Sequence, residues 1–119
     1  MKGKAVAPHE QPRAVAEALI AACNAFDAAR AVALFTADAV IDDPSTGHRF
    51  HGSAGVRDYI ERYFIGYRTV TRFLSIRRLG GGKARVRVDF TGDFGHETGV
   101  LEMTLAPGGS ICRIDASLE

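Results

Sequence analysis

The strongest constraint on the fold is a period-two alternation of apolar and charged residues in the second half of the chain. Between residues 84 and 94 the apolar positions are Val86, Val88 and Phe90, and the charged positions between them are Arg85, Arg87 and Asp89. Such alternation is typical of a strand with one buried face and one exposed face. It explains Arg85 and Arg87 as an exposed or subunit-facing row, without a catalytic role.

Further strands are predicted on both sides of this segment, at residues 69–79, 97–105 and 111–118. The glycine triplet at 80–82 and the Pro-Gly-Gly sequence at 107–109 supply turns between them, as expected for antiparallel neighbours. The triplet lacks the Lys-Ser/Thr pair and the following helix of a phosphate-binding loop. The second half therefore predicts an antiparallel sheet.

The first half is predicted to be mainly helical. Helix one begins near Pro12 and carries an apolar stripe at helical spacing, formed by Val15, Leu19, Ala22 and Phe26. Asp27 is placed to cap a short second helix. Residues 39–44 and 48–51 predict a hairpin around turn residues, and a third helix opens at residues 52–53. This order of elements indicates an α+β fold in which the helices cover the sheet.

Length and charge limit the function classes. A chain of 119 residues has the usual size of one domain, here residues 12–119 after a flexible lead-in at residues 1–11. A net charge of +1 gives no support for a nucleic-acid partner. The sequence shows neither a signal peptide nor a membrane span, which predicts a cytoplasmic location without a membrane partner. Cys23 and Cys112 lie in apolar patterns typical of buried thiols.

Two strings resemble the nuclear transport factor 2-like superfamily, in its ketosteroid isomerase and SnoaL-like polyketide cyclase branch. They are LFTADAVIDDP at residues 34–44 and FHGSAGVR at residues 50–57, and the likeness covers nearly everything after residue 12. The resemblance implies a cone-shaped fold, with three helices packed on a curved, mixed, mostly antiparallel sheet that encloses an apolar pocket. Relatives include isomerases, dehydratases, epoxide hydrolases, cyclases and structural assembly modules, so the fold leaves the function open.

The resemblance implies a role for Asp43, because the Asp before the proline of this string is the general base of ketosteroid isomerases. Ile41 and Asp43 share one strand face, which places the carboxylate beside apolar surface, whereas Asp42 points to the other face. Desolvation there would strengthen Asp43 as a base. The alternative is that Asp43 only starts the proline-containing turn, where Asp is favoured.

The resemblance and the apolar spacing of the helices and strands together predict the residues that line the pocket. We expect it to comprise Leu19, Phe26, Ile41, Tyr59, Tyr63, Phe64, Val88, Leu101 and Met103. Leu19 and Leu101 occupy the positions at which ketosteroid isomerases carry the Tyr and Asp that stabilise the enolate oxygen. Steroid isomerisation by that arrangement is therefore expected to be slow or absent. Tyr59, Tyr63 and His96 are candidate replacement donors.

Two functions from different classes remain at this point. The first is a cofactor-free isomerase, lyase or cyclase that acts on a small hydrophobic carbonyl compound with Asp43 as general acid/base. The second is a non-enzymatic module that binds a hydrophobic ligand or dimerises. No metal is expected, because His48 and His51 fall on opposite faces of one strand. Val70, Val100 and Thr104 lie on strands without an obvious covering helix, which predicts a homodimer through the sheet.

Overall fold

Three helices pack on a six-stranded sheet in the computed structural model of the chain, which describes residues 11–119. The helices are α1 (Gln11–Asn24), α2 (Ala28–Val32) and α3 (Gly52–Ile60). The strands are β1 (Phe35–Asp43), β2 (His48–His51), β3 (Val70–Gly80), β4 (Lys83–Gly92), β5 (Gly95–Leu105) and β6 (Ile111–Leu118). The lead-in predicted at residues 1–11 lies outside the described residues except for Gln11, which begins α1.

The sheet is open and mixed, with the strand order β2-β1-β6-β5-β4-β3. Only β1 and β6 run parallel to each other, and every other neighbouring pair is antiparallel. The predicted α+β architecture is thus confirmed. Strand β1 begins at Phe35, four residues before the predicted start at residue 39, because Phe35 already pairs with Ile111 of β6.

Helix α1 buries one face against the sheet, as its apolar spacing predicts, through Ala16, Leu19, Ala22 and Cys23. Its last residue, Asn24, fixes it to β3 by two hydrogen bonds. The Asn24 amide donates to the Thr71 carbonyl oxygen at 2.8 Å, and the Thr71 N–H donates to Asn24 Oδ1 at 2.7 Å. Both backbone groups of Thr71 are thereby satisfied at the junction of helix and sheet.

The predicted cap of the second helix is present, because Asp27 Oδ1 accepts a hydrogen bond from the Arg30 N–H at 3.0 Å. Phe26, just before it, adopts a left-handed backbone with φ of 55°. This conformation is the common way to end a helix, although it usually falls on glycine. The turn removes Phe26 from the apolar stripe of α1, and the side chain is 40% exposed.

Helix α3 continues into a π-helical turn, Glu61–Ile65, before the chain enters β3. Such turns are rare and occur frequently at functional sites. Thr69 closes the segment, since its N–H donates to the Phe64 carbonyl oxygen at 2.8 Å and its hydroxyl donates to the Tyr63 carbonyl oxygen at 2.7 Å. Tyr63 and Phe64 are therefore held in fixed positions beside the sheet.

The arginine row of β4 faces away from the core, as the alternation predicts. Arg85 forms an ion pair with Glu102 at 2.9 Å, and Arg87 forms one with Glu119 at 2.9 Å, while Val86 between them is fully buried. Cys23 is buried as predicted, whereas Cys112 is only partly buried. None of the helices formed by residues 11–119 is long and apolar enough to cross a membrane.

Gly66, directly after the π-helical turn, tests how tightly this segment is packed. A Cβ at this position would collide with the Arg62 carbonyl oxygen, so we expect Gly66→Ala to lower the free energy of unfolding by about 1–3 kcal/mol. Gly108→Ala is the matched control, because a Cβ there meets nothing within 4 Å and should change stability by less than about 0.5 kcal/mol. Urea unfolding measures both, and equal effects would contradict the proposed crowding at Gly66.

Candidate active site

Asp43 ends β1 and is 8% exposed. Its Oδ1 accepts two hydrogen bonds from Ser45, from the backbone N–H at 3.1 Å and from the hydroxyl at 2.7 Å. These bonds cap the 3₁₀ turn Pro44–Thr46, so the turn role suggested by the sequence is present. It engages only one of the two carboxylate oxygens.

The second oxygen of Asp43 points into the fold and meets Tyr59. The Tyr59 hydroxyl on α3 donates to Asp43 Oδ2 at 2.7 Å. Burial raises the pKa of Tyr59 well above its ordinary value, and the charge of Asp43 and this hydrogen bond raise it further. Tyr59 therefore keeps its proton and serves as a permanent donor beside the carboxylate.

Hydrogen bonds from residues 11–119 leave one acceptor position on Asp43 without a partner. An ionised carboxylate offers about four lone-pair positions, two on each oxygen. Oδ1 uses two of them for Ser45, and Oδ2 uses one for Tyr59. The remaining position is on Oδ2, the oxygen that Tyr59 contacts.

Asp43 and Tyr59 lie in the wall of a cleft of about 230 Å³. Its other lining residues are Ser45, Thr46, Tyr63, Phe64, Tyr67, Thr69, Phe90, Phe94, Glu97 and Leu118. A cleft of this size has room for a small organic molecule, and its walls combine apolar surface with a few polar groups, as in most ligand sites.

A second, inner cavity of about 20 Å³ adjoins the cleft through Tyr59 and Phe64, which line both. Its remaining lining residues are Leu19, Ile20, Cys23, Phe35, Ile41, Ile60, Thr71, Leu101 and Ile114. Burial raises the pKa of the Cys23 thiol to about 12, so this thiol stays neutral and unreactive. Space on this side of Tyr59 is sufficient for about one water molecule.

The structure brings most of the predicted lining residues together. Leu19, Ile41 and Leu101 line the inner cavity, Tyr63 lines the cleft, and Tyr59 and Phe64 line both. Val88 and Met103 are fully buried in the core and line neither space. Phe26 also lines neither, because the left-handed turn after α1 directs it to solvent.

His96 is not a donor for this cleft. Its imidazole contacts Asp89, and both side chains lie on strand positions that alternate with the cleft-lining Phe90 and Glu97. Tyr59 is thus the predicted replacement donor that contacts Asp43. No group of three or more His, Cys, Asp and Glu residues suited to a metal ion occurs among residues 11–119.

Sequence reasoning missed Ser45 and Glu97. The Asp-Pro-Ser sequence contains a signal for Ser45, because Asp side chains commonly accept from the backbone two residues further on. Glu97 gave no such signal. It lies opposite Phe90 on the paired strands β4 and β5, and only this pairing brings it to the cleft mouth.

The chain belongs to the SnoaL-like domain family, whose profile matches residues 16–116. Its solved structural neighbours are nuclear transport factor 2-like proteins, among them ketosteroid isomerase-like and polyketide cyclase-like members. Among curated proteins, none matches this sequence significantly.

Three solved structures illustrate the range of these neighbours. A candidate ketosteroid isomerase from Kribbella flavida is similar with a TM-score of 0.79 and 22% identity, over 92% of this chain and 78% of that one. The epoxide hydrolase/cyclase-like enzyme SalBIII, with a role in pyran ring formation in polyether salinomycin, gives 0.82 and 18%, over 94% and 93%. A computationally designed 17-OHP binder gives 0.79 and 14%, over 92% and 91%. At these identities the likeness establishes the fold alone.

Thr71 and Thr69 form a matched pair for testing the inner cavity. Both are buried, but the Thr71 hydroxyl has no hydrogen-bond partner among the described residues, whereas the Thr69 hydroxyl donates to the Tyr63 carbonyl oxygen at 2.7 Å. We expect Thr71→Val to raise the free energy of unfolding by about 1 kcal/mol, and Thr69→Val to lower it by about as much. Urea unfolding of both variants checks this. A loss of stability in both would show that the Thr71 hydroxyl is hydrogen-bonded in solution.

Proposed function

We propose that the chain is a cofactor-free acid/base catalyst of the isomerase, lyase or cyclase type, acting on a small hydrophobic carbonyl compound. The observation that supports this most directly is the position of Asp43, a buried carboxylate in the wall of a largely apolar cleft, with one acceptor position free on Oδ2. A carboxylate held in this way can remove a proton from a bound molecule. Membership of the SnoaL-like family is consistent with this chemistry.

The proposed step is proton abstraction beside the carbonyl group. Asp43 Oδ2 takes the proton, the C–H electron pair moves into the adjacent carbon–carbon bond, and the carbonyl oxygen becomes an enolate oxygen. Returning the proton from Asp43 to another carbon completes an isomerisation. Expulsion of a leaving group or attack on a second carbonyl by the same enolate gives the lyase or cyclase outcome.

Tyr59 supplies the partner that such a step requires. Before the reaction its hydroxyl donates to Asp43, but the protonated carboxyl group is a weaker acceptor than the carboxylate. The Tyr59 hydroxyl keeps its proton and can then redirect its hydrogen bond to the enolate oxygen, whose charge has just formed. This arrangement differs from the Tyr and Asp pair implied by the resemblance, since Leu19 and Leu101 are apolar and line the inner cavity.

Deuterium exchange into 2-tetralone, an enolisable bicyclic ketone, tests this function without knowledge of the natural substrate. We expect the wild-type protein to accelerate exchange in D₂O, Asp43→Asn to abolish the acceleration, and Tyr59→Phe to reduce it by about a hundredfold. Proton NMR measures the rates. Asp42→Asn is the control, because Asp42 pairs with Arg49 and Arg113 outside the cleft. This variant should accelerate 2-tetralone exchange at the wild-type rate.

Asp43→Asn is expected to fold normally, because an amide satisfies the same neighbours. Its oxygen can accept from Ser45, and its NH₂ group can donate to the Tyr59 oxygen. Thermal melts recorded with the exchange rates check this. Wild-type exchange in a folded Asp43→Asn protein would reduce Asp43 to a turn residue and favour the second candidate function.

The second candidate is a non-enzymatic module that binds a hydrophobic ligand or dimerises. The three hydrogen bonds to Asp43 favour it, because they also serve a purely structural carboxylate. The designed 17-OHP binder supports it as well, since the same fold can hold a ligand without chemistry. A homodimer through the outer sheet face fits either function.

The dimer itself is open to a direct measurement. Val70 is exposed on β3, and Val100 lies half-buried on the outer face of β5, opposite Arg87 and Ser117. We expect light scattering at micromolar concentration to give twice the 12.8 kDa chain mass, and Val100→Arg to give the monomer, because it would bury a charge at the two-fold contact. A wild-type protein that scatters only as a monomer would contradict the dimer.

A further inference from the structure

The cleft is bounded by an unbroken series of aromatic rings. From mouth to base the ring-centroid distances are 6.0 Å for Phe94–Tyr67, 6.2 Å for Tyr67–Tyr63 and 5.4 Å for Tyr63–Tyr59. The series returns through Tyr59–Phe64 at 5.9 Å and Phe64–Phe90 at 6.0 Å. All six rings line the cleft. The faces of aromatic rings carry negative charge and attract cations within about 6 Å of the ring centre.

The charged side chains of the cleft have the same sign. Asp43 and Glu97 are its only charged lining residues in the described part of the chain, and no Lys, Arg or His lines it. The basic residues that adjoin lining residues along the chain all have carboxylate partners. Arg62 pairs with Asp58 at 3.1 Å, Arg68 pairs with Asp93 at 3.5 Å, and His96 contacts Asp89. A ligand with a carboxylate or phosphate group would thus enter a cleft that offers it no cation.

We infer that the cleft selects an organic cation: an apolar ring or cage compound that carries a protonated amine or a quaternary ammonium group. The apolar part occupies the aromatic interior, and the cationic group stays at the mouth between Glu97 and the half-exposed rings of Tyr67 and Phe94. The inference rests on the proposed function only in placing the ligand in this cleft, and it deepens that proposal by naming the charge of the ligand.

Glu97, rather than Asp43, is the group that recognises the cation. Asp43 is buried and already accepts three hydrogen bonds. An ammonium group beside it would lose its hydration shell and find only one acceptor position in return, which is unfavourable. Glu97 is exposed and lies opposite Phe90 across the β4–β5 pair. A cation beside it remains partly hydrated while it contacts carboxylate and ring faces together.

The test uses 1-aminoadamantane and 1-hydroxyadamantane, which have the same cage and differ in charge at neutral pH. The chain has three tyrosines and no tryptophan, and all three tyrosines line the cleft, so intrinsic tyrosine fluorescence reports on this site alone. We expect the amine to bind about tenfold more tightly than the alcohol, equivalent to about 1.4 kcal/mol. In Glu97→Gln the two dissociation constants should agree within about twofold, with that of the alcohol unchanged.

Glu17→Gln is the matched control, because Glu17 is an exposed Glu on α1 that pairs with Arg13 away from the cleft. It should keep the full preference for the amine. Equal binding of both probes to the wild type, a preference that survives in Glu97→Gln, or no fluorescence change with either probe at millimolar concentration would overturn the inference. Neither probe undergoes the exchange reaction, so amine preference without 2-tetralone exchange would reject the proposed catalysis and support the cation site.

Discussion

The hydrogen bond between Tyr59 and Asp43 is the interaction on which the site depends. It joins α3 to the end of β1, two elements that β2 separates along the chain. The bond is buried, at a position where an unpaired carboxylate would be strongly unfavourable. Ser45, in the turn that follows β1, donates two further hydrogen bonds to the same carboxylate. One charged group thus fixes a strand end, a turn and a helix, and the cleft forms against these three.

In this arrangement the two interpretations that the sequence left open for Asp43 are compatible with each other. A carboxylate has two oxygens, and here they face different environments: Oδ1 caps the turn, whereas Oδ2 lies beside Tyr59 and the cleft. The structural role therefore leaves one oxygen for the proposed chemistry. It also holds the carboxylate in a single orientation, which favours proton transfer because a positioned group loses no further freedom during the reaction.

Local pattern was sufficient for most of the fold. Strands β3 to β6 lie within two residues of their predicted bounds, because alternation and glycine turns are both local signals. Val88 and Met103 follow the predicted inner face but are fully buried in the core. The other residues that the pattern did not place depend on a backbone conformation or on strand pairing. Phe26 follows the helical spacing but occupies a left-handed turn, and His96 contacts Asp89 on the other side of the sheet. Glu97 reaches the cleft through the β4–β5 register alone.

Depth in the cleft separates residues that maintain the fold from residues that recognise a ligand. The inner cavity leaves only about 20 Å³ and is lined by side chains such as Leu19, Ile41 and Leu101 that also pack the core, so replacing them alters stability before it alters binding. Phe94 and Glu97 lie instead at and beside the exposed β4–β5 turn, where a substitution disturbs less buried packing than in the core. Under this proposal, a polar ligand group bound at the mouth is consequently recognised by residues that can be substituted without affecting the Asp43 carboxylate at the base of the cleft. Under the proposed function, that separation would allow the same buried Asp43–Tyr59 pair to act on ligands of different charge.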